Sequence, residues 1–338
     1  MPNRGSLANW MPFLPAGRGN QFRLFKAAVK PLKWVAIGHD NSPYFTLLSW
    51  DGSNLSKADD YTLPGAGMDC AFSPDGQYIA VAHGNIPHFT LLSWDGSNLS
   101  KADDYTLPGD GQGCAFSPDG QYIAVGHFGS PYFTLLKWDG SSLSKADDYT
   151  LPGFGDACAF SPDGQYIAVA HDNSPFFTLL KWDGSNLSKA DDYTLAGDGH
   201  GCAFSPDGQY IAVGYGGTPR FTLLKWDGSS LSKADDYTLA GSGRGCAFSP
   251  DGQYIAVAHD NSPFFTLLKW DGSSLSKADD YTLALNGRDC AFSPDGQYIA
   301  VAHQGSPYFT LLKWDGSSLS KADDYTLPGA GQGCARHS

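Results

Sequence analysis

The fold is decided by one stretch, Cys114–Ala157, CAFSPDGQYIAVGHFGSPYFTLLKWDGSSLSKADDYTLPGFGDA, which recurs every 44 residues without insertions. Its first residue returns at seven equivalent positions: Cys70, Cys114, Cys158, Cys202, Cys246, Cys290 and Cys334. A fixed period of this length is typical of architectures in which each repeat is one supersecondary unit packed on its neighbours. The sequence therefore predicts a stacked or closed array of similar units.

Each unit contains four extended segments separated by turn residues. Gly113–Ser117 is predicted as the first strand, and the Ser-Pro-Asp-Gly turn that follows suits a type I geometry with glycine at its end. Gln121–Val125 is β-branched, aromatic and apolar, as in a buried strand. Phe133–Trp138 is predicted as the third strand and Asp148–Leu151 as the fourth. Four short antiparallel strands cannot bury their faces alone, so neighbouring sheets must pack together.

The third strand ends in a repeated Trp-Asp-Gly, whose tryptophans are Trp50, Trp94, Trp138, Trp182, Trp226, Trp270 and Trp314. Together with Phe-Ser-Pro-Asp-Gly and the period, this motif resembles the blade of a WD-repeat β-propeller. The resemblance covers roughly residues 33–338 and implies an all-β, seven-bladed propeller with four antiparallel strands per blade. The repeats also resemble near-identical ones in phage and bacterial open reading frames of unassigned role.

Two regions are expected along the chain: a non-repetitive N-terminal arm, residues 1–32, and the propeller, residues 33–338. The repeat that begins at Trp34 lacks its first strand, whereas Gly333–Ser338 repeats the start of one and stops. The C-terminal strand is therefore predicted to pair into the first blade, which closes the ring and removes an open sheet edge. Residues 20–29 are the alternative source of that strand.

The charge of the chain limits its partners. The net charge is −13, aspartate is the only acidic residue, and the charge is distributed over every repeat. Such a surface argues against nucleic acid or an anionic membrane as a partner, and no apolar run is long enough to span a bilayer. The arm is basic and lacks a typical secretory signal, so we expect it to pack on the propeller or to dock on an acidic assembly partner. A soluble cytoplasmic or virion-associated protein is favoured over a secreted one.

Cysteine and aspartate recur in every repeat, and a histidine recurs at the equivalent position of six of the seven blades, which raises the question of a metal or disulfide. Seven equivalent inner-strand cysteines cannot pair within one ring, and no second ligand lies at metal-binding spacing, so they are interpreted as small buried hydrophobes. The histidines that end the second strands are interpreted as structural hydrogen-bonding groups. No cofactor and no metal site are expected.

The repeats differ at few positions. Thirteen of the 44 slots vary across residues 70–333, and eleven of these lie in the windows Ala82–His88 and Pro108–Gly113. In an up-and-down blade the loops containing both windows lie at the same end, so the variation faces one side of the ring. The substitutions favour aromatic residues and arginine, which dominate binding energy at interfaces. The predicted ligand-binding residues are Tyr44, Met68, His88, Gln112, Phe128, Tyr132, Phe154, Phe176, His200, Arg220, Arg244, Phe264, Arg288, Gln304, Tyr308 and Gln332.

From these patterns we expect a non-enzymatic binding scaffold that presents a diversified loop face to a protein or glycan surface, as a lectin does. The alternative is a structural component of a virion or surface assembly, docked through the arm. An enzyme would need an acid–base set near the ring axis, and the near-identity of the repeats argues against one. An artificial consensus chain is a further alternative.

Overall fold

Each repeat folds into a four-stranded antiparallel sheet, and the computed structural model, which describes residues 33–337, contains seven of these blades. In chain order the first fifteen strands are β1 (Trp34–His39), β2 (Tyr44–Trp50), β3 (Leu55–Thr62), β4 (Gly67–Phe72), β5 (Tyr78–His83), β6 (His88–Trp94), β7 (Leu99–Thr106), β8 (Gly111–Phe116), β9 (Tyr122–His127), β10 (Tyr132–Trp138), β11 (Leu143–Thr150), β12 (Gly155–Phe160), β13 (Tyr166–His171), β14 (Phe177–Trp182) and β15 (Leu187–Asp192). The remaining strands are β16 (Gly199–Phe204), β17 (Tyr210–Tyr215), β18 (Phe221–Trp226), β19 (Leu231–Asp236), β20 (Gly243–Phe248), β21 (Tyr254–His259), β22 (Phe265–Trp270), β23 (Leu275–Asp280), β24 (Gly287–Phe292), β25 (Tyr298–His303), β26 (Tyr308–Trp314), β27 (Leu319–Thr326) and β28 (Gly331–His337).

Blade 1 closes the ring, as the sequence predicts. It has the order β28-β1-β2-β3, whereas blades 2 to 7 take four consecutive strands each, from β4–β7 to β24–β27. Strand β28 pairs antiparallel with β1, with Trp34 opposite His337 and Ile37 opposite Cys334. The C-terminal strand therefore supplies the innermost strand of blade 1. The predicted N-terminal arm, residues 1–32, and with it the alternative strand 20–29, lies outside the described residues.

The fourth strand begins earlier than predicted, at Leu143 instead of Asp148. The Asp139 carboxylate accepts hydrogen bonds from the backbone N–H groups of Ser141 and Ser142, both at 2.8 Å, which completes a short turn. Leu143 then lies opposite Trp138 as the first residue of the returning strand. The polar run after the turn is thus an outer strand and not a loop.

The hydrophobic core lies between the blades. The described residues form seven buried clusters, each built from two adjacent blades. Between blades 2 and 3, for example, Phe89 packs with Ile123, and Tyr78 meets the edge of Trp138 at a centroid distance of 5.3 Å. The repeated tryptophans are therefore inter-blade packing groups, each contact adding about 0.5–1.5 kcal/mol beyond its buried area.

A polar latch joins each blade to the next at the outer strands. The Asp147 carboxylate of blade 3 accepts a 2.7 Å hydrogen bond from the backbone N–H of Leu187 in blade 4. Its neighbour Asp148 points the other way and pairs with Lys145. The same latch occurs at all seven junctions, including Asp323 to Leu55 between blades 7 and 1. Closure thus involves the outer strands as well as the inner ones.

The repeated histidines are structural, as predicted. The Nε2 atom of buried His127 lies 3.0 Å from the Thr134 hydroxyl, and five other blades have the same pair. Blade 5 replaces it with a hydrogen bond between Tyr215 and Thr222. Burial lowers the pKa of His127 to about 4, so this imidazole is neutral near pH 7.

The cysteines are free thiols on the inner strands, and all but the partly buried Cys202 are buried. Burial raises the pKa of each thiol, that of Cys202 to about 12. Such thiols are unreactive toward electrophiles and metals near neutral pH. These positions therefore serve packing.

Candidate site at the channel mouth

The inner strands enclose a central channel of about 220 Å³, whose mouth lies where these strands begin. A β-bulge interrupts the pairing of each inner strand near its start; in blade 4 it falls between Gly155 and Ala157, which leaves Asp156 unpaired. A bulge redirects one side chain and is common beside active sites. The residues at this slot form the mouth ring: Met68, Gln112, Asp156, His200, Arg244, Arg288 and Gln332. Six of the seven are predicted binding residues.

An acid–base pair occupies blades 4 and 5 of the mouth ring. His200 Nδ1 lies 3.3 Å from Asp156 Oδ2, and both side chains are mostly buried. A carboxylate can only accept a hydrogen bond, so His200 Nδ1–H donates to Asp156. The lone pair of the imidazole is then on Nε2. Sequence reasoning included His200 but omitted Asp156, although equivalent residues of successive repeats must be neighbours in a closed ring.

Two arginines follow in blades 6 and 7. Arg244 is held by Asp260, whose Oδ2 accepts hydrogen bonds from Nη2 at 2.7 Å and from Nε at 3.2 Å. Arg288 contacts the Gln304 amide, which accepts hydrogen bonds from Nε and Nη2 when its oxygen faces the guanidinium. Burial, and then the charge of Arg244, lower the pKa of Arg288. A partly buried cation beside a second cation and bonded to a neutral amide favours the binding of an anion.

The rest of the ring supplies amides. Gln332 Nε2 donates a 2.8 Å hydrogen bond to Asp40 Oδ1, and Gln112 Nε2 contacts its neighbouring backbone carbonyl, Gly111 O, at 3.3 Å. Met68 completes the circle. The mouth thus combines an acid–base pair, two guanidinium groups and two amides around one opening.

Two acids line the channel just below the mouth, and sequence reasoning missed both. Asp69 and Asp289 occupy a slot that is glycine or alanine in the other five blades. Their carboxylates accept backbone N–H groups of the next blade, from Cys114 and Cys334 respectively, both at 2.9 Å. Burial raises the pKa of Asp289 to about 6, and burial together with the charge of Asp289 raises that of Asp69. The sequence signal for these two acids was that they replace glycine or alanine at one slot of the repeat.

A second predicted set lies on the outer rim and is not brought together. It follows the proline of each loop, where each side chain contributes to a separate blade junction: Tyr44, His88, Tyr132, Phe176, Arg220, Phe264 and Tyr308. All seven have a positive φ of 75–82°, which makes this backbone a property of the turn and not of one site. Five of the side chains pack against inter-blade core clusters. Arg220 donates a 2.7 Å hydrogen bond to the Leu239 carbonyl.

His88 makes a second histidine–aspartate contact outside the mouth ring. Its Nδ1 lies 2.9 Å from Asp110 Oδ1, but the orientation is not that of a hydrogen bond. The last predicted residues are Gln304, described above, and the exposed pair Phe128 and Phe154, whose rings are in contact. Within residues 33–337 no group of three or more histidine, cysteine or aspartate side chains is placed to hold a metal ion. No helix in that range is long and apolar enough to cross a membrane.

Fold and site define a seven-bladed propeller with one polar, asymmetric channel mouth. Its fold is similar to a protein from Bacteroides fragilis provisionally named a 6-phosphogluconolactonase (TM-score 0.79, 14% identity, 92% of this chain and 99% of that one). It is also similar to the periplasmic gluconolactonase of Pseudomonas aeruginosa (0.78, 16%, 91% and 99%). A third, from Bacteroides uniformis, has the same provisional name as the first (0.77, 14%, 91% and 100%). No family model and no curated protein matches the chain.

These likenesses establish the fold, and they contradict the prediction of a non-enzymatic scaffold, together with its alternative, a virion or surface component. The three propellers just described have names that refer to lactone hydrolysis and not to scaffolding. Near-identical repeats do not exclude an acid–base set near the axis, because one variable slot per blade brings His200, Asp156 and Arg288 to the same ring. The resemblance to WD-repeat blades is supported only as far as the seven-bladed propeller itself.

Proposed function

We propose that this chain is a hydrolase of sugar lactones, with its active site at the channel mouth. The observation that carries the proposal is the hydrogen bond between His200 and Asp156 in the same ring as Arg244 and Arg288. Hydrolysis of a cyclic ester needs a base for water and a donor for the carbonyl oxygen, and the ring has both. The names of the similar propellers support the same reaction class.

His200 Nε2 is the proposed general base. It takes a proton from a water molecule as the water oxygen bonds to the lactone carbonyl carbon. The bond between that carbon and the ring oxygen then breaks, and the ring oxygen receives the proton from the imidazolium. One water is consumed and one hydroxy acid is formed. Asp156 holds the imidazole with its proton on Nδ1 and stabilises the imidazolium.

Arg288 is the proposed electrophilic group. A positively charged, partly buried donor stabilises the negative charge that develops on the carbonyl oxygen. It also suits an anionic substituent such as a phosphate. Because Arg244 is already paired with Asp260, Arg288 has the larger uncompensated charge. Gln112 and Gln332 are suited to the hydroxyl groups of a polyhydroxy acid.

The test is hydrolysis of glucono-δ-lactone and its 6-phosphate by the purified chain, measured as acid release above the buffer rate. We expect His200→Gln to lower kcat/KM about 10²–10⁴-fold, the usual contribution of a general base. His88→Gln is the matched control, because it alters a histidine–aspartate contact outside the ring. A wild-type rate equal to that of buffer, or equal losses in both variants, would refute the proposal.

The partner and location of the chain remain proposals. A carbohydrate is the partner that the amides and the acid–base pair fit best. The cytoplasmic location stays a prediction, and the periplasm is the alternative suggested by one of the similar propellers.

A further inference from the structure

An aromatic cluster stands beside the mouth ring, at the junction of blades 3 and 4. Phe128 follows β9, Phe154 precedes β12, and their ring centroids lie 4.9 Å apart at 52°. Tyr132 supports Phe154 edge-on at 5.6 Å. Both phenylalanines are 41% exposed, and they are the only exposed phenylalanine, tyrosine or tryptophan side chains among the described residues. We call these three residues the aromatic platform.

The other blades show that the fold does not need this platform. The slot of Phe128 holds Asp, Gly or Gln elsewhere, and that of Phe154 holds Ala, Asp, Ser or Asn. In every blade one backbone hydrogen bond joins the loop after the second strand to the loop before the first strand, as from Gly84 N to Ala66 O (2.9 Å) in blade 2; Phe128 N bonds Asp110 O within blade 3, and Phe154 O accepts from Asp172 N within blade 4. Blade 2 makes this bond with neither aromatic ring. Two phenylalanines in contact at a single junction therefore point to a ligand and not to loop stability.

The platform adjoins the acid–base pair. Phe154 lies two residues before Asp156, so their Cα atoms are at most about 7 Å apart. The junction with exposed rings thus adjoins blade 4, which supplies Asp156, the partner of the proposed general base. A substrate bound at His200 that extends past Asp156 reaches the platform.

The charges on this side of the mouth favour a neutral ligand. Asp110, Asp172 and Asp198 lie in the loops of blades 3 to 5 and Asp156 at the start of β12, whereas both mouth arginines belong to blades 6 and 7. Burial, and then the charges of Asp156 and Asp198, raise the pKa of Asp172. An anionic group is repelled here, while carboxylates accept hydrogen bonds from hydroxyl groups.

We propose that Phe128 and Phe154 form a subsite for a second sugar ring, so that the preferred substrate is the lactone of a disaccharide or longer saccharide. A pyranose presents an apolar C–H face to an aromatic ring and its hydroxyls to the surrounding carboxylates. The lactone ring occupies the mouth and the glycosyl ring lies on the platform. This inference rests on the proposed lactone hydrolysis.

The test compares cellobiono-δ-lactone with glucono-δ-lactone for wild type and the double variant Phe128→Gly/Phe154→Ala. Each change introduces the residue that blade 2 has at the equivalent slot, Gly84 for Phe128 and Ala66 for Phe154, so each loop keeps a residue already found in that turn. We expect kcat/KM for the disaccharide lactone to fall at least 10-fold, mainly through KM, and that for the monosaccharide lactone to change less than 2-fold. Leu285→Ala, at an exposed loop residue of blade 7, is the control.

A binding measurement separates this inference from the proposed function. Saturation-transfer NMR with methyl β-cellobioside needs no hydrolysis, and we expect signals from its glycosyl ring that the double variant loses. Binding without hydrolysis of either lactone would uphold the subsite and overturn the proposed function. Hydrolysis of both lactones with equal rates in wild type and variant, and no cellobioside signal, would overturn the subsite alone.

Discussion

Asp289 shows how one residue of the channel couples charge to stability. The folded chain raises the pKa of this carboxyl to about 6, chiefly through burial. A raised carboxyl pKa means that the folded state binds a proton which the unfolded state has released. Its stabilising contribution is therefore present below the unfolded value and is lost as the pH rises through about 6.

Asp289→Asn should remove this dependence. Between pH 5 and pH 7 we expect the wild type to lose about 1 kcal/mol of stability relative to the variant. The variant also removes the charge that raises the pKa of Asp69, which acts in the same direction. Urea unfolding of both proteins at several pH values measures the difference, and parallel curves would contradict the assignment.

At the scale of the element, two neighbouring carboxylates of the outer strand β11, Asp147 and Asp148, have different partners and can be compared directly. Asp147 accepts the Leu187 N–H across the blade junction, whereas Asp148 forms an exposed ion pair with Lys145. Asp147→Ala leaves a partly buried N–H without its acceptor, and we expect a loss of about 1–3 kcal/mol. Asp148→Ala should cost less than about 1 kcal/mol, because exposed ion pairs contribute little. Equal losses in denaturant unfolding would argue against the latch.

The second strand ends in a buried histidine in six blades and in Tyr215 in blade 5, so the two residues can be compared at one position. In His127 the lowered pKa, about 4, means that the unfolded chain binds a proton which the folded chain excludes. Stability from this group is lost as the pH falls from about 6.5 toward 4. His127→Tyr copies Tyr215, which also follows a glycine and bonds the equivalent threonine.

We expect His127→Tyr to retain about 2 kcal/mol more stability than wild type on going from pH 7 to pH 5. The reverse change, Tyr215→His, should make blade 5 acid-sensitive. Thermal melts at both pH values give the comparison. If the two reciprocal variants shift in the same direction, the buried imidazole is not the cause of acid sensitivity.

On the scale of the whole molecule, closure depends on β28. This strand is central to the blade 1 core, where Cys334 packs with Val35 and with Phe309 of blade 7. A chain ending at Ala330 exposes one edge of β1 and opens the channel wall. We expect its melting temperature to fall by about 10 °C or more, since a loss of several kcal/mol shifts a domain of this size by that amount. An unchanged melting temperature would mean that another segment replaces the strand.

The whole-molecule architecture was predictable because it is repeated. Seven copies of one motif specify the blade, and the incomplete copies around Trp34 and Cys334 specify where the ring closes. Strand boundaries were less accessible, because the polar run from Leu143 does not look like a strand until the Asp139 turn is seen to fix its register. Repetition thus predicts topology better than strand length.

The candidate site was harder to predict because its chemistry depends on which blades are neighbours around the ring axis. Asp156 and His200 are 44 residues apart, and only the ring makes them neighbours. The bulge that turns them toward the axis comes from pairing irregularities that the sequence does not reveal. The aromatic and arginine slots were identified, but the sequence alone did not separate the inner mouth from the outer rim.

The bulge in every inner strand has a consequence for protein engineering. All seven inner strands have a bulge near their start, at the mouth. The acid–base pair therefore needs two adjacent blades with suitable side chains, and not one particular repeat. The changes Met68→Asp and Gln112→His would place the acid–base pair at the junction of blades 2 and 3, two-sevenths of a turn from its present position. A reactive pair could thus be moved from one blade junction to the next relative to the arginines, while the backbone scaffold stays the same.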